Sequence, residues 1–137
     1  MKKKMLVICP HLSTGGSGQV TANKIQLIKE DFEIKVIEHA FVAWAYVVQR
    51  NRIIELVGHE NFHSLGENKA ELIKGIIDSF QPDVISMEEF PEMFLDKESS
   101  VMLYDKDRKY TIIETTHDSS FNPANKVYMP DKFVFVS

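Results

Sequence analysis

The amino-acid sequence predicts an α/β fold: a doubly wound, mainly parallel sheet of six strands with helices on both faces. Short apolar runs alternate with amphipathic segments along the chain, which is typical of strands joined by crossover helices. The first run, residues 5–9, is apolar throughout, as expected for a strand that helices cover on both sides. At 137 residues the chain is long enough to bury a core, and we expect residues 1–137 to form one domain.

The first half of the chain is predicted to hold three strands and two helices. In chain order we place these elements at residues 5–10, 19–29, 33–38, 43–57 and 61–65. A glycine-rich loop, residues 14–18, separates the first strand from the first helix, which is the order that opens a βαβ unit. The free N–H groups at the start of that helix would face the loop. Gly58 is expected to cap the second helix at its C-terminus.

The second half is predicted to add two helices and three strands. Asn68 and Glu71 have the spacing of a capping box, and the amphipathic helix that follows should stop before Pro82. Pro91 suits the first turn of another helix, which we expect to continue to Leu103. The strands are placed at residues 83–87, 110–115 and 132–136.

Residues 40–57 combine several aromatic side chains with Arg50 and Arg52. Such a segment could lie on a membrane surface or meet an anionic substrate. The alternative, which we favour, is a crossover helix that packs on the sheet and leaves its arginines in solvent. Contact with the inner face of a membrane therefore stays open as a second interpretation.

Composition and charge argue against several classes of protein. The net charge is −4 and the only basic run is Lys2 to Lys4, so we expect no nucleic-acid partner. No segment has the features of a secretory signal or the apolar length that a bilayer span requires. The single cysteine, Cys9, is expected to be a reduced, buried thiol, which favours a cytoplasmic location.

Chemically active side chains are concentrated on three predicted loops. In the strand order 3-2-1-4-5-6, strands one and four are neighbours at the switch point, where ligands bind beyond the carboxyl ends of the strands. The loops at residues 11–18, 88–91 and 116–121 should meet there. They carry the candidate site residues His11, Glu88, Glu89, His117 and Asp118. Adjacent side chains of a strand point to opposite faces, so at most one of the two glutamates should face the cleft.

A nicotinamide cofactor is one ligand that this arrangement could hold. Gly16 and Gly18 match two of the three fingerprint glycines, and Glu38 lies about twenty residues further on, where a ribose-binding acid belongs. Against this interpretation, Thr21 stands where a small residue is needed, and the glycines come several residues after the strand. The histidines show no ligand spacing with Cys9 or with carboxylates, so we expect no metal site.

Four motifs together resemble a known family. They read "ICPHLSTGGSGQV" at the start, "QPDVISMEE" after the amphipathic helix, "ETTHD" after strand five and "PDKFVFVS" at the end. Their order and spacing resemble the N-terminal half of family 4 glycosyltransferases of the GT-B class. Enzymes of that class have two Rossmann-like domains, of which the N-terminal one mainly holds the acceptor and the C-terminal one the nucleotide-sugar donor.

The resemblance also implies roles for individual residues. Gly15 and Gly16 would lie in a glycine loop that approaches the donor diphosphate. His117 would be the catalytic residue, because it matches a cleft histidine that contacts the transferred sugar. Glu88 and Glu89 fall on a loop that contributes to acceptor binding. His11 and Asp118 are further acceptor-binding candidates, named from their place on the converging loops.

We therefore expect the acceptor-side half of a retaining glycosyltransferase, which uses a nucleotide-sugar as co-substrate and needs no other cofactor. Its partners would be a C-terminal donor-binding domain and a carbohydrate or lipid-linked acceptor. The chain alone should be inactive, because the family's paired donor-binding glutamates belong to the other domain. Two alternatives remain open: a stand-alone domain that binds a nucleotide or a sugar, and an NAD-dependent enzyme.

Overall fold

The computed structural model describes residues 2–12, 16–40, 48–116 and 122–135. Within these ranges six strands form one sheet in the order β3-β2-β1-β4-β5-β6, and every pair of neighbours is parallel. The predicted fold class is confirmed. Since β1 and β4 are neighbours that are separated in sequence by two other strands, the switch point lies between them.

The elements follow the predicted order, with boundaries that differ by a few residues. The first half contains β1 Lys3–Cys9, α1 Gly16–Ile28, β2 Phe32–Glu38, α2 Val48–Val57, a short 3₁₀ helix His59–Asn61 and β3 Phe62–Ser64. The second half contains α3 Lys69–Phe80, β4 Val84–Glu88, α4 Pro91–Phe94, α5 Lys97–Leu103, β5 Thr111–Thr116, a 3₁₀ helix Pro123–Asn125 and β6 Lys132–Phe135.

Alternate side chains of β1 enter two separate cores, which explains why this strand is apolar throughout. Leu6 and Ile8 are fully buried in the core that α3 and α5 cover. Val7 and Cys9 are buried on the opposite face of the sheet, together with α1 and α2. Helices on both faces therefore leave no polar position in this strand beyond its first residues.

The described part of α2 packs on the sheet as a crossover helix, as expected. The expectation that its arginines lie in solvent is wrong for Arg50, whose side chain is 12% exposed and forms an ion pair with Glu38. Ile53 is fully buried against the sheet. Arg52 donates hydrogen bonds from Nη2 to Asn23 Oδ1 at 2.8 Å and to Gln26 Oε1 at 2.7 Å, both on α1. The expected start of the helix at residues 43–47 and its aromatic cluster lie outside the described residues. None of the described helices is both long and apolar enough to cross a bilayer.

Two local predictions in the second half are wrong. Asn68 has a left-handed backbone (φ 57°) and makes no side-chain cap, so the expected capping box does not form. The expected helix from Pro91 to Leu103 is divided into α4 and α5, with Leu95 and Asp96 in extended conformation between them. Asp96 accepts a hydrogen bond from Ser99 N at 2.9 Å and thereby begins a new helix.

Strand β6 differs from the other strands because its side chains are exposed. Phe133, Val134 and Phe135 keep 42%, 43% and 68% of their surface accessible, although all three are apolar. This edge strand is therefore less buried than the central strands β1 and β4. The rings of Phe133 and Phe135 stack on each other with centroids 5.9 Å apart.

Candidate functional site

Four strands bring polar side chains to the carboxyl edge of the sheet, where a doubly wound fold binds ligands. In chain order, the strand-end residues are Cys9, Glu38, Glu88 and Thr116. Glu38 and Glu88 are 0% and 2% exposed, which is unusual for carboxylates. Each of them is bound to a cation from a helix, so the edge is lined by buried ion pairs.

Glu88 forms an ion pair with Lys24, which extends from α1 across the switch point. Ser86 joins the pair: its hydroxyl donates to Glu88 Oε1 at 3.2 Å and accepts from Lys24 Nζ at 3.3 Å. The pair connects the helix that follows the glycine-rich segment to the end of β4. A carboxylate and an ammonium group are thereby held together at the point where β1 and β4 separate.

Glu89 has a strained backbone. Its φ of 75° lies in the left-handed region, which costs a residue with a Cβ about 1–2 kcal/mol. Its N–H donates to Thr115 O at 2.7 Å, so the end of β4 is tied to the end of β5. Glu88 and Glu89 are both buried, at 2% and 7% exposed.

Glu38 is held by four hydrogen bonds, in a group that we call the Glu38 cluster: Glu38, Arg50, Ser64 and the N–H of Leu12. Oε1 accepts from Arg50 Nε at 2.7 Å and from Ser64 Oγ at 2.9 Å. Oε2 accepts from Arg50 Nη2 at 3.1 Å and from Leu12 N at 2.6 Å. A cofactor ribose could reach this carboxylate only by displacing one of these partners.

His39 lies directly after Glu38 and is 1% exposed. Burial, together with the positive charge of Lys69, lowers the pKa of its imidazole to about 4, while Asp96 acts in the opposite direction. His39 is therefore neutral at pH 7. No described residue forms a hydrogen bond with its Nδ1.

A second buried network lies beside β5, on the other side of the switch point. We call it the Glu114 cluster, and it consists of Glu114, Lys126, Glu92 and Tyr104. Lys126 Nζ donates to Glu114 Oε1 at 2.6 Å and to Glu92 Oε1 at 2.8 Å. Tyr104 donates its hydroxyl to Glu114 Oε2 at 2.8 Å.

The pKa values of the two carboxyls in the Glu114 cluster are shifted in opposite directions. Burial raises the pKa of Glu114, although hydrogen bonds from Lys126 and Tyr104 oppose the shift. Burial also acts to raise the pKa of Glu92, but hydrogen bonds from Lys126 and from the N–H groups of Tyr128 and Val127 outweigh it and lower that pKa.

The predicted site residues are brought together only in part. Glu88 and Glu89 lie at the carboxyl edge, and His11, which is partly buried, follows β1 at the same edge. Gly16 is the first residue of α1 and not part of a loop, because the helix begins three residues earlier than predicted. The calls on Gly15, His117 and Asp118 lie outside the described residues.

Sequence reasoning missed the partners of the buried carboxylates. Lys24, Arg50 and Lys126 were not predicted as site residues, yet each neutralises a buried carboxylate.

Gly18 has a packing role: a Cβ there would lie 3.2 Å from Gln49 Cγ on α2. Within the described part of the chain, no group of three or more His, Cys, Asp or Glu side chains is arranged to hold a metal ion.

No protein-family model matches the chain, and no curated protein sequence is significantly similar to it. Among solved structures, it is similar to the dTDP-glucose 4,6-dehydratase of Bacillus anthracis in complex with NAD, with a TM-score of 0.52 and 18% sequence identity. The match covers 84% of this chain and 37% of the dehydratase, so the chain spans well under half of that enzyme's length. At this identity the likeness concerns the fold alone: the domain has a Rossmann-like fold.

Proposed function

We propose that this domain is the acceptor-side half of a retaining glycosyltransferase of the GT-B class. One observation carries the proposal: the hydrogen bond from Glu89 N to Thr115 O. It joins the end of the "QPDVISMEE" motif to the "ETTHD" motif, which lie more than twenty residues apart in sequence. Strand β1, which leads into the glycine-rich segment, pairs with β4 beside them. The described parts of three of the four motifs therefore lie next to one another at one edge, which supports a shared acceptor site.

The chemistry of the site would be positioning and electrostatic stabilisation. Glu88 and Glu89 would accept hydrogen bonds from acceptor hydroxyls, and Lys24 would keep a compensating charge beside them. His117 would contact the transferred sugar from the loop after β5. The donor would be held by a second domain across the cleft, which supplies the groups that stabilise the departing diphosphate.

An NAD-dependent enzyme is the second candidate, because the similar dehydratase binds NAD on the same fold. The Glu38 cluster argues against it. The acid that would bind the ribose already accepts four hydrogen bonds, two of them from Arg50. An isothermal titration of the chain with NAD and with UDP distinguishes the candidates. We expect dissociation constants no tighter than about 1 mM for both, because one wall of a cleft offers few contacts; micromolar binding of NAD overturns the glycosyltransferase proposal.

The role of His117 is tested in a protein that carries both this domain and a donor-binding domain. His117→Ala should lower kcat by on the order of a hundredfold with a smaller change in KM, the effect of losing one polar group that acts in the transition state. His11→Ala and His63→Ala are the matched controls and should have smaller effects. Near wild-type turnover of His117→Ala, together with a lower melting temperature, means that His117 is structural. The isolated chain should release no nucleoside diphosphate from nucleotide-sugars.

A further inference from the structure

An apolar cavity of about 250 Å³ opens beside the candidate site, between the end of β5, strand β6 and the connection that joins them. Its apolar walls include three aromatic rings, Phe90, Phe133 and Phe135, and the flexible side chain of Met129. Phe90 is 1% exposed, whereas Phe133, Phe135 and Met129 are at least 42% exposed. One wall is therefore buried core, and the other consists of side chains that solvent still reaches.

The charged groups among the described residues that border the cavity already have partners. Lys126 is bound to Glu92 and Glu114, and the second oxygen of Glu114 accepts from Tyr104. A charged ligand would have to compete with these contacts in a site of low polarity, which is unfavourable. The lining therefore favours an uncharged, apolar occupant.

The volume sets the size of that occupant. A dry protein cavity of about 150 Å³ is large enough to bind benzene. A cavity of about 250 Å³ thus has room for roughly ten carbon atoms. The methionine side chain in the lining can adapt to an irregular apolar shape.

Two direct chain connections join the cavity to the candidate site. Phe90 follows Glu89, and Thr116, which also lines the cavity, is the last residue of β5 before His117. The cavity and the candidate site are therefore neighbours along the chain at two places.

We propose that this cavity binds the hydrocarbon chain of a lipid-linked acceptor, about ten carbons of which lie between Phe90 and the Phe133–Phe135 pair. The proposal rests on the proposed function, since it takes the sugar-bearing end of the same acceptor to lie at Glu88 and Glu89. It restricts the acceptor class from carbohydrates in general to molecules that carry an apolar chain.

Chemical-shift titration of the chain, labelled at its methionine methyl groups, tests the proposal with geraniol, a ten-carbon alcohol. We expect saturable shifts at the Met129 methyl with a dissociation constant below about 1 mM, and no saturable shift there with methyl β-glucoside. Met129→Trp fills the cavity at an exposed position and should weaken geraniol binding at least tenfold. Geraniol binding to this variant is measured from the amide shifts of Phe90 and Thr116. Leu27→Trp on α1, where Leu27 is 81% exposed, is the matched control and should leave binding unchanged.

Three results overturn the proposal. The first is the absence of a saturable Met129 shift with geraniol. The second is binding of 1-naphthol without binding of geraniol, which would assign the cavity to an aromatic ring and not to a chain. The third is a Met129 shift that depends on protein concentration alone, which would make a second copy of the chain the occupant. Geraniol binding with no response of the Glu88 and Glu89 amides to any sugar acceptor would support the cavity and count against the proposed function.

Discussion

The Glu38 cluster and the Glu114 cluster both pair a buried carboxylate with a cation, but in two different surroundings. Both contain a carboxylate that is at most 1% exposed and a cation bound to it at 2.7 Å or less. In the Glu38 cluster one arginine satisfies one carboxylate, and the chain closes over both through Leu12 and Ser64. In the Glu114 cluster one lysine is shared by two carboxylates beside an open cavity.

The difference indicates that buried charge has two uses in this domain. The Glu38 cluster is closed: every group is satisfied within the protein, and its effect is to hold the segment after β1 against the end of β2. The Glu114 cluster retains an excess carboxylate and borders a space that a ligand could enter. Because a buried ion pair is costly to break but adds little to stability when intact, substitutions should separate the two uses.

The largest effect is expected from Glu38→Gln. The substitution leaves the guanidinium of Arg50, whose side chain is 12% exposed, without a carboxylate, and should lower the free energy of unfolding by about 3–5 kcal/mol. Urea denaturation measures it. Asp78→Asn is the control, because it breaks an ion pair whose side chains are both 62% exposed, and should cost no more than about 0.5 kcal/mol. A loss below about 1 kcal/mol for Glu38→Gln means that the cluster is not closed as described.

The next effect concerns pH and His39. Because its folded pKa of about 4 is lower than the ordinary 6.5, the unfolded chain binds a proton that the folded chain does not between these values. The contribution of neutral His39 to the free energy of unfolding should therefore be fully present above about pH 6.5. It should fall by on the order of 3 kcal/mol as the pH approaches 4.

His39→Gln should flatten this slope in urea titrations at pH 7, 5.5 and 4.5. Part of the slope should remain, because burial and Lys35 also lower the pKa of His63. The same slope in His39→Gln as in the wild type would contradict the assignment to His39.

Glu114→Gln should cost less than Glu38→Gln, about 1–2 kcal/mol in the free energy of unfolding. Lys126 keeps Glu92 as a partner, and the glutamine oxygen can still accept from Tyr104 or Lys126. Lys126→Met is the comparison variant: it leaves two carboxylates without their cation and should cost about 3 kcal/mol or more. Equal losses for Glu114→Gln and Glu38→Gln would remove the distinction between the clusters.

The smallest effect is expected at Glu89, where the two halves of the domain meet. Glu89→Gly and Glu89→Ala remove the same carboxylate, but only glycine relieves the φ of 75°. The glycine variant should be more stable than the alanine variant by about 1 kcal/mol in thermal or urea unfolding. If alanine is equal or better, the left-handed backbone is not a source of strain here.

Local patterns explain which parts of the fold could be predicted. Strand β1 was recognised because both of its faces are buried, and α3 because its apolar positions repeat at helical spacing and Pro82 follows. The capping box at Asn68 failed because residue types at the right spacing do not determine the backbone of the cap, which here is left-handed. The break in the helix after Pro91 had a sequence signal in Asp96, three residues before Ser99, but the apolar residues before and after it were assigned to a single helix.

The features of the candidate site also fall into those that the sequence predicted and those that only the structure revealed. The sequence by itself determined that polar residues follow the strands, because the alternation of strands and helices depends on short-range pattern. The usual strand order of a doubly wound sheet then predicts that these residues gather at one edge. Only the tertiary structure decided which charges meet: Glu88 with Lys24, Glu38 with Arg50 and Glu114 with Lys126. The physical reason is that each of these pairs joins separate elements. Whether two such side chains meet depends on how the helices are rotated and packed against the sheet, and no local pattern records that.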